Sequence, residues 1–190
     1  MILLKPQDVV LLLRLGIEAG QRPIPFATLG ATLRISASEA HAGLSRAAAA
    51  GLLDSASRRP RVHNLMEFIE HGLRYVFIST RGEITRGFPT AFSAAPLAER
   101  LSTVPLLMRA AANAAGTPVA SQPEIPLVWP HPEGTVRGEG FEPLYPSAVE
   151  ASRQDAKLYE CLALVDAIRI GRARERKLAL DLLAQRLRGT

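Results

Sequence analysis

Apolar positions repeat with a helical period over most of this chain, and the breaks in that period mark where helices end. Val9, Val10, Leu12, Leu13 and Ile17 leave little polar face on the first expected helix, residues 5–19. A helix that apolar is buried on more than one side, so it packs against the hairpin that follows and also on the C-terminal region or a second subunit. Pro6 suits its first turn, and Asp8 complements the positive end of its dipole. A short second helix, about 25–33, offers Leu29 and Leu33 to a core. The third runs from about Ala37 to Ala50. Ser36 and Glu39 have the S-x-x-E spacing of a capping box, and Gly51 is the residue type that ends a helix in a left-handed turn. Ala40, Leu44 and Ala47 form its inner stripe, with Gly43 beside them. Ser38, Glu39, His41, Ala42, Ser45 and Arg46 form the outer one.

Beyond Leu53 the period breaks. Arg58, Arg59 and Arg61 fall within four positions around Pro60, which cannot donate to a β-ladder and so favours a loop. Leu65, Phe68 and Ile69 have i, i+3, i+4 spacing and predict a helix closed by Gly72. Residues 74–79 alternate like a strand. Residues 81–92 carry turn residues at Gly82 and Gly87–Pro89 and read as a surface loop. The twice-repeated Arg-Gly there fits no phosphate loop, because no Lys-Ser/Thr helix start follows. A helix broken at Pro105 is expected over 96–111, then a small-residue linker over 110–124. Two strands, about 126–129 and 135–142, predict a hairpin through Pro132–Gly134, with Trp129 more a cover for a core edge than the wall of a groove. The end of the chain reads as two helices. In residues 154–169 the stripe is Leu158, Leu162, Val165 and Ile168. In residues 172–188, Leu180, Leu183 and Leu187 make one stripe while Leu178 and Leu182 add another.

Charge is unevenly distributed along the chain. The chain has 190 residues and a net charge of +5. Residues 1–62 hold eight basic and four acidic side chains, residues 153–190 hold nine and five, and residues 92–152 hold three and six. Two basic ends flank an acidic middle. Basic surface concentrates near polyanions and supplies much of non-specific DNA affinity, though an anionic membrane surface would attract it as well. No apolar run approaches the ~20 residues needed to cross a bilayer, and the first residues lack a basic leader and cleavage site, so no membrane association and a cytoplasmic location are expected.

The order helix, Leu-x-x-x-Leu helix, turn, Ser-capped helix, Ala-Gly-Leu-Leu resembles a winged helix-turn-helix regulator of the MarR-like kind. Phe26, Leu29, Leu33, Ile35, Ser36, Glu39, Leu44, Gly51 and Leu52 carry the resemblance, which covers roughly the first 60 residues. It implies that the third helix enters the major groove and that a following hairpin, the wing, meets the backbone or minor groove. Ser38, His41, Ala42, Ser45 and Arg46 would then face bases, and Arg58, Arg59 and Arg61 would hold phosphates. The helical reading of 63–72 implies a wing interrupted by an inserted helix. The family usually has Gly at the turn where this chain has Arg34. A non-Gly residue in a left-handed conformation costs about 1 kcal/mol.

The resulting expectation is an α+β, mainly helical fold, a winged helix-turn-helix with a C-terminal helical and hairpin extension. It divides into 1–80 for DNA binding, 81–153 as an irregular segment with a β-hairpin, and 154–190 as a helical pair. The two stripes of the last helix suggest homodimerisation, which would match a two-half DNA site. Arg169, Arg172 and Arg176 offer either a second phosphate contact or a plain solvated face. The expected function is sequence-specific binding of double-stranded DNA as a dimeric repressor. The alternative is a protein-interaction module, an antitoxin or adaptor, on the same scaffold. Chemistry points elsewhere than catalysis. His41, His63, His71 and His131 have no partner at metal-ligand spacing, and no nucleophile elbow, P-loop or dinucleotide fingerprint occurs. Cys161 lies on an apolar helix, where a thiol behaves as a small hydrophobe. No enzyme activity, cofactor or metal is expected.

Overall fold

The computed structural model describes residues 3–18, 23–95, 97–101 and 125–188. Helix α1 (Pro6–Ile17) begins where the Asp8 carboxylate accepts the Lys5 N–H at 2.9 Å. Val9 to Leu13 are all buried. Its partners are α2 (Phe26–Leu33), α3 (Ala37–Ala49) and the C-terminal helices α8 (Ala156–Ile170) and α9 (Ala173–Arg188). The chain's own C-terminal region therefore covers the second apolar side of α1.

The turn between α2 and α3 places Arg34 at φ 57°, ψ 39°, the left-handed conformation that the missing glycine would otherwise supply. The Ile35 N–H, donating to the Gly30 carbonyl at 2.9 Å, helps hold it. At the start of α3 the Ser36 hydroxyl accepts the Glu39 N–H at 3.0 Å. The Glu39 carboxylate, however, does not reach back, because it is bound by Arg46 and Gln7. Gly51, at φ 77°, leads out of α3.

A two-rung hairpin follows: β1 (Leu53–Asp54) pairs antiparallel with β2 (Arg59–Pro60). The Ser57 N–H and hydroxyl both donate to Asp54 Oδ1, at 2.8 and 2.7 Å, and Arg58 completes the turn at φ 52°. Pro60 closes the hairpin at the strand end, where no ladder donor is needed. The expectation of a hairpin interrupted by a helix is thus corrected. The return strand comes before the helix α4 (Val62–His71). The strand expected over 74–79 is also absent, since Leu73–Val76 forms the short helix α5.

The stretch expected to be a surface loop is the longest strand among the described residues, β3 (Arg81–Pro89). Strand β5 (Val136–Phe141) runs antiparallel along residues 81–87, and β4 (Leu127–Pro130) runs antiparallel along residues 87–89. The two expected strands near 126–142 exist, but they do not pair as a hairpin. They flank β3 and then meet each other in parallel, closing a three-stranded barrel. So tight a barrel has no room for side chains at the crossings. A Cβ on Gly87 would stand 2.1 Å from the Trp129 carbonyl oxygen, and one on Gly138 would stand 2.0 Å from that of Pro126. The same glycines made this region look like loop. Helix α6 (Leu97–Leu101) is what is described of the helix expected over 96–111, and the expected linker over 110–124 lies outside the described residues.

Helix α7 (Pro146–Arg153) leads into α8, the centre of the molecule. Asp155 caps α8, accepting the Lys157 and Leu158 N–H groups. The helix was expected to show one apolar stripe. Instead Leu158 and every residue from Cys161 to Arg169 are buried, because α1, α4, α5, α7, α9 and the barrel side surround it. Burying each leucine fully is worth about 1.5–3 kcal/mol. Ala179, Leu182, Leu183 and Leu187 of α9 are buried against the rest of the chain. Of the apolar positions read as dimer stripes, Leu182, Leu183 and Leu187 are therefore satisfied internally, while Leu178 and Leu180 are half-buried.

Arg169 was grouped with Arg172 and Arg176 on a basic face, which the structure corrects. Its guanidinium is buried, bound to Asp166 at 2.8 Å and donating to the carbonyls of Phe77, Ile78 and Glu142. Asp166 also accepts from the Trp129 indole at 2.6 Å and the Thr90 hydroxyl at 2.9 Å. Trp129 stacks edge-on against Tyr159 inside this network, so it is core.

Candidate nucleic-acid interface

The inner stripe of α3 orients its outer face. Ala40, Gly43, Leu44 and Ala47 are buried, and a Cβ on Gly43 would meet Leu11 Cδ1 at 2.5 Å and Asp8 Oδ1 at 2.8 Å. Only glycine lets α3 lie this close to α1. The turn then carries Ser38, His41 and Ser45 to solvent, with Ala42 half-buried beside them. Small hydroxyls and an imidazole leave that surface free to approach another molecule closely. The Ser45 hydroxyl donates to the His41 carbonyl at 3.0 Å, which fixes its direction on the helix.

Arg46 is the exception among the expected base-facing residues. Its guanidinium turns toward α1 and binds Asp8 through two hydrogen bonds of 2.8 and 2.7 Å, and it meets Glu39 at 2.6 Å. Asp8 is fully buried. A buried carboxylate needs a paired cation, and the planar guanidinium supplies the two parallel donors that match it. Hydrogen bonding to Asp8 raises the Arg46 pKa further, and Arg46 in turn holds the Glu39 carboxyl below its usual range. Arg46 thus positions α3 and is not offered to a partner. Sequence spacing placed it on the outer stripe because nothing local reveals a counterion 38 positions away.

The hairpin reaches the same surface. Phe26, the first residue of α2, is touched edge-on by His41 with ring centroids 5.0 Å apart, while the Arg58 guanidinium lies 4.7 Å over the same ring. One aromatic side chain therefore joins the α3 face to the hairpin tip. Arg59 and Arg61 are exposed alongside, with Arg61 3.8 Å from Asp54. The two Ser57 hydrogen bonds hold the Asp54 carboxyl below its ordinary value, so it stays charged and keeps the turn closed. In the sequence Phe26 enters only among the residues that carry the family resemblance.

A cleft of about 70 Å³ between Leu15, Ile24 and Arg58 is far below the ~300 Å³ of small-molecule sites. Among the described residues no group of three or more His, Cys, Asp or Glu is placed to hold a metal ion, and no helix is long and apolar enough to cross a membrane. Burial pushes the Cys161 thiol up to about 12, which leaves it protonated and unreactive. The fold at large is α+β and mainly helical, as the sequence pattern implies. No family model, no curated protein and no solved structure matches the chain.

Proposed function

We propose that this chain is a sequence-specific DNA-binding regulator that uses α3 and the β1–β2 hairpin as a winged helix-turn-helix surface. The observation that carries the reading is the shared packing of His41 and Arg58 on Phe26, which makes the exposed side of α3 and the arginine-bearing hairpin one surface. Ser38, His41, Ala42 and Ser45 address base edges; Arg58, Arg59 and Arg61 meet phosphates. Arg46 leaves the base-reading set and acts as a positioning residue through Asp8. Because one such surface covers a single half-site, the reading includes a homodimer acting as a repressor on a two-half site.

Electrophoretic mobility shift against the chain's own upstream region tests it. Replacing His41 or Ser45 by Ala should relax discrimination by about 1–3 kcal/mol per lost base contact. Replacing Arg58 or Arg61 by Gln should weaken binding to all sequences and lower the slope of log K against log salt by about one each. Failure of the intact chain to retard any duplex at low salt overturns the reading.

A second reading, a protein-interaction module, is favoured by a separate observation. Tyr75, Val76, Ile78 and Ile84 are large apolar residues lying 49–74% exposed within ten positions of one another. Exposed apolar residues that form one contiguous patch mark association surfaces, whereas solitary ones are ordinary. A protein partner copurifying in fixed ratio, lost on Ile78→Ser with Tyr75→Ser, would favour this reading over the first.

A further inference from the structure

The outer face of the barrel carries a charge pattern that neither reading uses. In the β3–β5 ladder Arg86 stands directly opposite Arg137, and both are exposed. Directly opposed residues in an antiparallel pair hold their Cβ atoms about 4.5–5.5 Å apart, and like charges there repel. The neighbouring arginines of the described residues, Arg81 and Arg153, are by contrast paired. Arg81 binds Glu139 at 3.0 Å, and Arg153 lies between Glu133 and Glu150. Glu139, which is diagonal to Arg86 on the same face, is taken up by Arg81. Among the described residues the side chains of Arg86 and Arg137 have no hydrogen-bond or ion-pair partner. Each is followed by a glycine whose Cβ would strike the backbone of the β4 side at 2.0–2.1 Å, so the strands that bear them are locked at closest approach. Two arginines thus stand at directly opposed positions on a closely packed base, with no acid among the described residues paired to either. Long flexible side chains from opposed positions can bring two planar forks onto the oxygens of one phosphate group, and the repulsion between them is relieved when one is bound.

We propose that Arg86 and Arg137 form a phosphate-binding clamp on the barrel, distinct from the α3–hairpin surface and independent of whether that surface binds DNA. The phosphate comes either from a nucleic-acid backbone or from a free phosphate ion or ester, and the test separates the two. In the first arm, thermal unfolding of the whole chain is followed in sodium phosphate and in sodium chloride at matched ionic strength. The expected result is a larger rise in melting temperature with phosphate for the wild type than for R86Q/R137Q. R137E should melt higher than the wild type in chloride, because it replaces repulsion by a cross-strand pair, and should lose the phosphate-specific rise. Equal phosphate responses in the wild type, R86Q/R137Q and R137E overturn the proposal. In the second arm, binding to a 20-base-pair duplex is measured across salt concentrations. A slope of log K against log salt lower by about two in R86Q/R137Q assigns the clamp to nucleic-acid phosphate. An unchanged slope beside a retained first-arm difference assigns it to free phosphate. A wild type that binds no duplex sinks the DNA reading alone, and the first arm still decides the clamp.

Discussion

Asp8 and Asp166 are both buried aspartates that hold an arginine at 2.7–2.8 Å, yet they are set differently in the chain. Asp8 reaches across 38 positions to Arg46 and so ties α1 to α3. Its partner lies near the surface, where water reaches the outer edge of the guanidinium. Asp166 binds Arg169 within the same helix and gathers Trp129 and Thr90 as well, so the pair belongs to the deepest layer, between α8 and the barrel. Burial raises the Asp166 carboxyl above its ordinary value even though Arg169 opposes the shift. The first pair therefore aims an element, and the second glues two layers together.

Substitutions that break each pair sharpen that contrast. The largest effect is expected for Arg169→Ala, which leaves Asp166 buried without a counterion and strips donors from three carbonyls. Urea unfolding should show a loss of about 3–5 kcal/mol. Replacing the pair together, Asp166→Leu with Arg169→Met, should recover part of that loss, since a buried ion pair adds little over well-packed apolar groups. A double variant no better than the single one would mean the carbonyl contacts dominate. Arg46→Ala should cost less, about 2–3 kcal/mol, since the site lies nearer water. Arg46→Lys restores charge without the two-pronged fit. On the proposed DNA-binding reading, if Arg46 only aims α3, Arg46→Lys should weaken duplex binding at all sequences alike, whereas a base-reading arginine would change sequence preference.

Gly43→Ala comes next. The new methyl would overlap Leu11 and Asp8, and overpacking of this kind costs about 1–3 kcal/mol. Retained stability would show that α1 and α3 can separate. The smallest effect is on pH dependence, where the two regions have opposite signs. The Glu39 carboxyl is held low by Arg46, so its contribution is present above the unfolded value and lost as pH falls through the folded one. The Asp166 carboxyl is held high, so its contribution is present at acid pH and lost as pH rises through the folded value. Urea titrations from about pH 3 to 7 should therefore show Glu39→Gln with a flatter loss of stability on the acid side. An unchanged acid side would mean that Arg46 does not couple to Glu39 in solution.

What was legible in the sequence was local. Ser36, Gly51 and the Ala40–Leu44–Ala47 stripe fix α3 through contacts three or four residues apart, and the structure keeps its bounds within one residue. The left-handed turn at Arg34 came from the family resemblance, which puts a glycine there, and the structure keeps the turn without one. The roles of Arg46 and Arg169 were not legible, because an arginine on an outer stripe looks alike whether it faces water or a distant carboxylate. The barrel was hidden for another reason. Residues 81–89 contain the glycines and proline that loops favour, and their strand partners lie some 40 to 60 positions downstream. No short window of sequence contains both sides of such a crossing.

The single ring of Phe26 has one more consequence. Because His41 and Arg58 lean on it together, lifting the hairpin away would uncover an aromatic face and forfeit both contacts at once. A macromolecule docking across helix and hairpin would meet a shape already set, so its association should carry little entropic penalty from ordering and should read in calorimetry as near rigid-body docking.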